Sequence, residues 1–398
     1  MSIASGSHQV AGVPNWRLTK PLRARIAEGH PWVYDRALAP VPGGVAAGDL
    51  VTIVDDDGPI ATAFADPASP IRARVLELGA VPIDTAWKRA RAQAAAARRA
   101  RDPLLVGCTG RRIVHGEGDA CPGLVIDVYA DTAVVVFDGE AAAAFWRPAL
   151  SDVITGVVDG GIAIAHVWVR GVRGAKDAGV AQLGDPPAEI TIEEDEARFV
   201  VDVRHGQKTG FFLDQRENRR TIRKHAAGAS TLNLFSYSGG FSLHAALGGA
   251  TRVTSVDIAP AAIAAVARNA ALSGLDPAGQ EAIVADVFDF LGRAGKQQRR
   301  WDLVICDPPS FAPSERAKPS ALQAYRKLAA ASLAVVEPGG RFALASCSSH
   351  VSETELLAMM ATVRPDARLR LSAGAASDHP VIPGFAEGRY LKFLLFDV

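Results

Sequence analysis

The 398-residue sequence lacks several features that would place it quickly in a class of proteins. Its 43 lysines and arginines equal its 43 aspartates and glutamates, so no overall positive charge indicates a nucleic-acid partner. The four cysteines are scattered without C-x-x-C spacing, which argues against a metal site and against a disulfide framework. No apolar run approaches the length of a membrane span, and no secretory signal opens the chain. We therefore expect a cytoplasmic protein that binds neither membrane nor metal.

Phosphate-binding glycine patterns are missing as well. Residues 231–260 follow the order strand, small-residue loop, helix, strand and terminal acid, which is typical of half a nucleotide-binding α/β sheet. Dinucleotide enzymes need three spaced glycines, but this loop has only the adjacent pair Gly239-Gly240. Asp257 ends the second strand, at the position where the carboxylate of such a unit is expected to bind both ribose hydroxyls. The pattern favours a nucleoside ligand without phosphates, with S-adenosylmethionine (SAM) as the obvious candidate. A structural βαβ unit with a plain acidic turn is the alternative.

The composition along the chain indicates three parts behind a loose tail at residues 1–14. Short β signals separated by Pro and Gly predict a compact β module at 15–80 with a basic strand face. An alanine- and arginine-rich helix introduces a mixed region at 81–188. A hairpin leads into the last part, 189–398, which alternates strands and helices like a doubly wound sheet. Its seven strands are predicted near 231–235, 252–257, 281–285, 302–306, 340–346, 367–371 and 390–397.

Ligands of such sheets bind at the carboxyl ends of the strands, and polar residues follow three successive strands there. Asp257 is predicted to bind ribose and Asp286 to accept a hydrogen bond from the adenine amino group. Ile258 and Val287 are expected to supply apolar walls for the ring. The next strand ends in Asp307-Pro308-Pro309-Ser310-Phe311, a rigid exit because proline fixes φ. This exit is expected to hold a flat heterocycle against Phe311.

Cys347 follows the fifth strand of the last part. C5 of cytosine is too weak a nucleophile to take a methyl group directly, but a thiolate that adds at C6 activates it. Asp307 would stabilise the charge that develops at N3. The alternative is a small cysteine that fills space. Cys306, inside the preceding strand, is predicted to be a core residue.

The stretch 206–219 is predicted to be a turn that enters a helix with Asp214 at a capping position. It is interpreted either as an ordinary helix entry or as a flap over the methionine end of the cofactor, with Phe212 and Gln215 in contact. The basic runs at 88–101, 216–224 and 298–300 are interpreted as solvated helix faces, unless the fold aligns them for RNA.

Several of these motifs together resemble one family. K-T-G-F-F-L-D-Q-R-x-N-R, L-N-L-F-S-Y-S-G-G-F, S-V-D, D-P-P-S-F, S-C-S and D-H-P-V…E-G-R-Y-L-K look like the bacterial SAM-dependent large-subunit rRNA 5-methylcytosine methyltransferases. R-L…H-P-W-V-Y and P-A-S-P-I-R-A-R-V are similar to the PUA segment of that family, and H-G-E-G-D-A-C-P-G-L-V-I-D to its linker domain. The resemblance implies an α/β protein with a PUA-like domain, a small central α/β domain and a class I, Rossmann-like methyltransferase domain.

The resemblance also implies roles for individual residues. It places SAM contacts at Asp257, Asp286 and the loop formed by Phe235, Ser236, Tyr237, Ser238, Gly239 and Gly240. It places the target base at Asp307-Pro308-Pro309 and the nucleophile at Cys347, with S-adenosylhomocysteine as product. Ribosomal RNA is the implied partner, with the target base flipped out or unpaired, and a homodimer is the implied assembly.

Three alternatives remain open from the sequence. Relatives with the same D-P-P exit methylate guanine, so a guanine or adenine methyltransferase that does not use Cys347 is one rival. An RNA-binding or ribosome-assembly factor with a vestigial pocket is another. A small-molecule methyltransferase is disfavoured because it would leave the first 80 residues without a role.

Overall fold

A computed structural model describes residues 12–172, 179–312 and 314–398. Most of the predicted tail, residues 1–11, lies outside the described residues. The described part of the chain forms two five-stranded sheets, a two-stranded hairpin and a seven-stranded sheet. None of the helices within these ranges is long and apolar enough to cross a membrane.

The first sheet contains the β signals predicted near the start of the chain. Its strand order is β1-β3-β4-β5-β2, and only β1 and β3 run parallel. A core of alanine and β-branched residues lies on it and includes the buried Trp16. The elements are β1 (Asn15–Arg17), α1 (Arg23–Ala27), β2 (Trp32–Tyr34), β3 (Leu50–Asp55), β4 (Gly58–Ala65) and β5 (Ile71–Leu78).

The second sheet follows the alanine- and arginine-rich helix α2 (Thr85–Ala100). Asp84 caps the N-terminus of this helix. Its order is β10-β9-β8-β7-β6. Helix α2 packs closely on α4, since a Cβ at Gly156 would lie 2.4 Å from the carbonyl oxygen of Arg89. The other elements are β6 (Gly110–His115), β7 (Leu124–Tyr129), β8 (Thr132–Phe137), α3 (Glu140–Trp146), α4 (Leu150–Asp159), β9 (His166–Val169) and β10 (Val180–Leu183).

The predicted hairpin, β11 (Glu189–Glu194) and β12 (Ala197–Asp202), leads into helix α5 (Arg216–His225) and the third sheet. Strands and helices alternate throughout this part. The elements are β13 (Ser230–Leu234), α6 (Gly240–Leu247), β14 (Arg252–Asp257), α7 (Pro260–Leu272), β15 (Gln280–Val284), α8 (Val287–Lys296), β16 (Trp301–Cys306), α9 (Lys318–Leu333), β17 (Val336–Ser346), α10 (Glu353–Val363), β18 (Arg368–Ala373) and β19 (Lys392–Asp397).

The third sheet has the strand order β15-β14-β13-β16-β17-β19-β18. Its seven strands lie at the seven predicted positions, and β19 pairs antiparallel with both neighbours. Strands β13 and β16 are adjacent and parallel although three helices separate them along the chain. The direction of chain winding reverses between them, and α/β sheets bind their ligands at such a reversal.

Candidate active site

The predicted SAM loop connects β13 to α6 at the carboxyl edge of the large sheet. Phe235 and Tyr237 have φ angles of 58° and 45°, values that residues with a Cβ rarely adopt. Gly239 lies in the same region at 87°, where glycine is free of that penalty. Backbone strain of this kind concentrates at ligand sites, because the surrounding structure must hold it in place.

Unsatisfied hydroxyl groups mark the same loop. Ser236 and Ser238 are buried, and their Oγ atoms have no hydrogen-bond partner within the described part of the chain. Leaving a buried hydroxyl unpaired costs about 1–3 kcal/mol, so native sites usually pair it with a ligand or water. Both serines line a cavity, and a ligand with several polar groups, such as SAM, fits this wall.

Asp257 is held against the loop. One carboxylate oxygen accepts a hydrogen bond from the backbone N–H of Tyr237 and the other from that of Ala259, both at 2.9 Å. A carboxylate oxygen accepts more than one bond, so the group retains capacity for ribose hydroxyls. Ile258 beside it is 69% exposed and lines the cavity as an apolar surface.

Asp286 and Val287 are placed differently from Asp257. Asp286 caps α8, and its Oδ1 accepts from the backbone N–H groups of Phe288 and Asp289 at 2.8 and 3.1 Å. Val287 is 2% exposed and packs in the core of the large sheet, so its side chain does not form the expected apolar wall. Both residues lie outside the lining of the cavity as the structure has it.

A cavity of about 430 Å³ joins the loop to the end of β16 and to Cys347. It brings together thirteen of the residues selected from the sequence: Phe212, Gln215, Phe235, Ser236, Tyr237, Ser238, Gly240, Asp257, Ile258, Asp307, Pro308, Pro309 and Cys347. Five selected residues do not line it: Gly239, Asp286, Val287, Ser310 and Phe311. Sequence reasoning assigned no role to Lys208, which also lines the cavity.

Asp307 is oriented by a chain of amides. Gln215 Nε2 donates to Asp307 Oδ2 at 3.0 Å, and Asn218 Nδ2 donates to Gln215 Oε1 at 2.6 Å. Burial, followed by the negative charge of Asp214, raises the pKa of Asp307 to about 7. The carboxyl group therefore keeps its proton to a higher pH than an ordinary aspartate, and its protonated form donates a hydrogen bond.

Cys347 is the half-buried cysteine of the chain, whereas Cys108, Cys121 and Cys306 are buried. Burial, and then the charge of Asp307, raises the pKa of the Cys347 thiol above its ordinary value. Lys392 holds the backbone around it by donating to the carbonyls of Ser348 and Tyr390 at 2.6 and 2.8 Å. The prediction that Cys306 is a core residue is confirmed.

The exit after Pro309 turns away from the cavity. The Ser310 and Ser348 hydroxyls are 3.1 Å apart, and the Phe311 ring packs edge-on against Tyr325 at 4.9 Å between centroids. Phe311 therefore adjoins the core and does not present a face to a ligand. The expectation that a heterocycle rests on Phe311 is not met in this structure.

Asp214 is not a helix cap, contrary to the sequence prediction. It lies in a short 3₁₀ helix (Leu213–Gln215), and neither this turn nor α5 has a side-chain cap. Its Oδ2 accepts from Lys208 Nζ at 2.5 Å and from the Tyr390 hydroxyl at 2.6 Å. The Phe212 ring packs edge-on against Tyr237 at 5.3 Å, so the 206–219 stretch borders the cofactor loop.

The basic runs are not uniformly solvated, because some of their arginines are buried and paired. In α5, Arg216 and Arg219 are buried and pair with Asp378 and Glu194. Similarly, Arg99 of α2 is 3% exposed. On the predicted basic face of β5, Arg74 is 5% exposed, so this face is not uniformly solvated. These arginines join segments far apart in sequence.

Comparison with known proteins agrees with this architecture. A family model described as S-adenosylmethionine-dependent methyltransferase matches residues 111–396, and a PUA-like domain model matches residues 17–78. The first match covers well over half of the chain. The protein belongs to the SAM-dependent methyltransferase family, and SAM is its cofactor.

Individual relatives extend over nearly the whole chain. The "Ribosomal RNA large subunit methyltransferase" of Deinococcus radiodurans is 40% identical, with 96% of this chain and 97% of the relative covered. The "Ribosomal RNA large subunit methyltransferase I" of Aeromonas salmonicida is 33% identical over 95% and 98%. Among solved structures, SMU.776, a methyltransferase complexed with SAH, has a TM-score of 0.84 at 22% identity over 97% of this chain and all of its own. This last likeness concerns the fold.

Proposed function

We propose that this protein methylates C5 of a cytosine in large-subunit ribosomal RNA through a covalent adduct with Cys347. The RNA substrate is supported by the names of the relatives, which align along their full length. The base and the mechanism are supported by one observation: Cys347 and Asp307 line the same cavity as the SAM loop.

The chemistry requires a nucleophile and an acid on the same ring. The Cys347 thiol loses its proton to solvent, and the thiolate adds to C6 of cytosine while Asp307 donates its proton to N3. The C5=C6 and C4=N3 double bonds are replaced by a C4=C5 bond, so the ring becomes an enamine that is nucleophilic at C5. SAM would supply the methyl group that C5 accepts, and S-adenosylhomocysteine would leave as the second product. A base then takes the C5 proton, the electron pair of that C–H bond forms the C5=C6 double bond and expels the Cys347 thiolate, and the N3 proton returns to Asp307.

The protonation of Asp307 supports cytosine as the target. With a pKa of about 7, this carboxyl group has a proton to donate at neutral pH, whereas an ordinary aspartate is ionised. N3 of cytosine is a hydrogen-bond acceptor without a proton, so it is the matching partner.

The remaining parts of the chain are assigned to RNA. We infer a PUA-like domain at 15–80 and a central α/β domain at 81–188 that hold the RNA, and a methyltransferase domain at 189–398. The formal net charge is zero, so the RNA footprint is local, and its affinity falls with salt in proportion to the phosphates contacted. The homodimer stays a prediction.

The test compares two cysteines that differ in position. Cys347→Ala is expected to abolish methylation of rRNA from cells that lack the gene, while Cys306→Ala, in the core, retains it. RNA with 5-fluorocytidine should form a denaturant-stable adduct with wild type and the Cys306 variant only, because fluorine at C5 blocks the proton loss that releases the enzyme. Mapping modified bases with and without the gene identifies the nucleotide.

The rival functions predict other results. A guanine or adenine methyltransferase would keep its rate in the Cys347 variant and would place the methyl group on a purine. A non-catalytic assembly factor would bind SAM weakly or not at all, and would methylate no RNA.

A further inference from the structure

Asp214 lines the cavity, and one of its carboxylate oxygens is buried without a hydrogen-bond partner in the described part of the chain. The residue is 1% exposed and lines the cavity that contains Asp307 and Cys347, and its Oδ1 has no hydrogen-bond partner among the residues that the structure describes. A buried carboxylate oxygen without a partner is costly, so native proteins seldom leave one unless a ligand or water completes it.

The orientation of this oxygen is set by its neighbours. Lys208 Nζ and the Tyr390 hydroxyl both bind Oδ2, which leaves Oδ1 as the free acceptor. The backbone is held as well, since the N–H of Ala376 donates to the carbonyl of Asp214 at 2.9 Å. Contacts with Lys208, Ala376 and Tyr390 therefore fix the position of Asp214, a residue that lines the cavity.

The group is an acceptor only. Burial opposes its ionisation, but the charges of Lys208 and His379 and the hydrogen bonds from Lys208 and Tyr390 outweigh burial and lower the pKa of Asp214 below its ordinary value. An ionised carboxylate has no proton to donate. Asp307, close enough for the charge of Asp214 to raise its pKa, supplies a donor instead.

A fixed acceptor beside a donor matches one pyrimidine edge. Cytosine presents the exocyclic N4 amino group as donor and N3 as acceptor, whereas uracil presents O4 as acceptor and N3–H as donor. Uracil would place O4 against a carboxylate oxygen and N3–H against the donor of Asp307. The contact at O4 is repulsive because two acceptors meet, and leaving polar groups mismatched in a buried site is the strongest source of discrimination that such sites have.

We propose that Asp214 determines base specificity, with Oδ1 accepting a hydrogen bond from the N4 amino group of the target cytosine. This inference rests on the proposed function. Tyr390 is a positioning residue, because it binds Asp214 and does not line the cavity, whereas Lys208 both binds Asp214 and lines the cavity.

The test is a change of preference. Once the modified nucleotide is mapped, wild-type enzyme and variants are assayed on full-length rRNA transcripts with cytosine or uracil at that position. Asp214→Asn keeps the shape and the acceptor for Lys208 and Tyr390 but turns the free acceptor into an NH₂ donor. We expect methylation of cytosine to fall by about 10- to 100-fold and the cytosine-to-uracil ratio of kcat/KM to fall by at least as much.

Tyr390→Phe is the matched control, since it removes a partner of Oδ2 and leaves the free oxygen as a carboxylate. It is expected to change the rate on both transcripts by the same factor, so its cytosine-to-uracil ratio equals that of wild type. SAM affinity measured by calorimetry shows whether each variant is folded.

Two results would overturn the role of Asp214. One is an Asp214→Asn enzyme with the wild-type ratio, whatever its absolute rate. The other needs no variant: a wild-type enzyme that methylates the uracil transcript as fast as the cytosine transcript does not select its base through a contact with N4. A wild type that methylates no cytosine would instead reject the proposed function itself.

Discussion

Arg216 donates a hydrogen bond to Asp378 at 2.7 Å, and both side chains are completely buried although 162 residues separate them in sequence. Asp378 also accepts from the backbone N–H of Arg112, and its carbonyl accepts from Arg99. The ion pair thus joins helix α5 to the C-terminal loop, and the hydrogen bond from Arg112 joins that loop to the second sheet. The same loop carries Tyr390, which binds Asp214.

Arg216→Met is expected to destabilise the protein by about 3–5 kcal/mol, because it leaves Asp378 buried without its counter-charge. Thermal unfolding monitored by circular dichroism measures the change. Arg268→Met is the control: its pair with Glu189 is about half exposed, and such pairs contribute less than about 1 kcal/mol. Equal shifts in the two variants would contradict the importance of burial.

Asp307→Asn is expected to stabilise the protein above neutral pH while it slows methylation. The pKa of Asp307 is about 7 in the folded protein and 3.8 in the unfolded chain. The protonated carboxyl group therefore contributes its full stability below the unfolded pKa, and this contribution is lost as the pH rises through about 7. Asparagine does not ionise, so the free energy of unfolding of the variant does not fall over this pH range, and it exceeds that of wild type by on the order of 2–4 kcal/mol. Melting temperatures at about pH 5 and about pH 8 test this, and a constant difference between variant and wild type would refute it.

Alkylation reports the state of Cys347. Because burial and the charge of Asp307 raise the pKa of the thiol above 9.0, iodoacetamide is expected to react slowly at pH 8 and faster as the pH rises. Asp307→Asn removes one of the causes that raise this pKa, so it should speed alkylation of Cys347 at pH 8. Peptide mass spectrometry locates the label, and Cys306 provides an internal control that stays unlabelled in the folded protein.

Asp257→Ala is expected to weaken SAM binding by about 100-fold, since it removes both the carboxylate predicted to bind ribose and the bond that holds Tyr237. Isothermal calorimetry with SAM measures this. Asp289→Ala, at an exposed position of α8, is the matched control and should bind SAM like wild type. A loss of affinity in both variants would point to a general electrostatic effect.

Local patterns in the sequence were enough for the large sheet. Alternating apolar strands and small-residue helices predict its seven strands, and the acids at the strand ends predict where the cavity lies. This works because parallel strands place their carboxyl ends at one edge, so sequence order translates directly into proximity.

The basic runs show where such reasoning fails. A cluster such as R-E-N-R-R-T-I-R-K has the composition of an exposed surface, yet Arg216 and Arg219 are buried. Their partners, Asp378 and Glu194, lie in distant segments, and no local period reveals which carboxylates will meet them. Arginine is tolerated in the interior only when paired, so the partners decide its place.

Sequence alone determined the fold class, and it predicted a SAM loop, Asp257, Asp307 and Cys347, which line one cavity, because each of these predictions depends on a strand and the residue that follows it. Tertiary structure decided the rest. It placed Val287 in the core and Phe311 against it, turned Asp214 from an expected cap into a buried acceptor, and surrounded Asp307 with groups that raise its pKa. Those outcomes depend on burial and on contacts between segments far apart in the chain, and neither property is encoded at the position of any one residue.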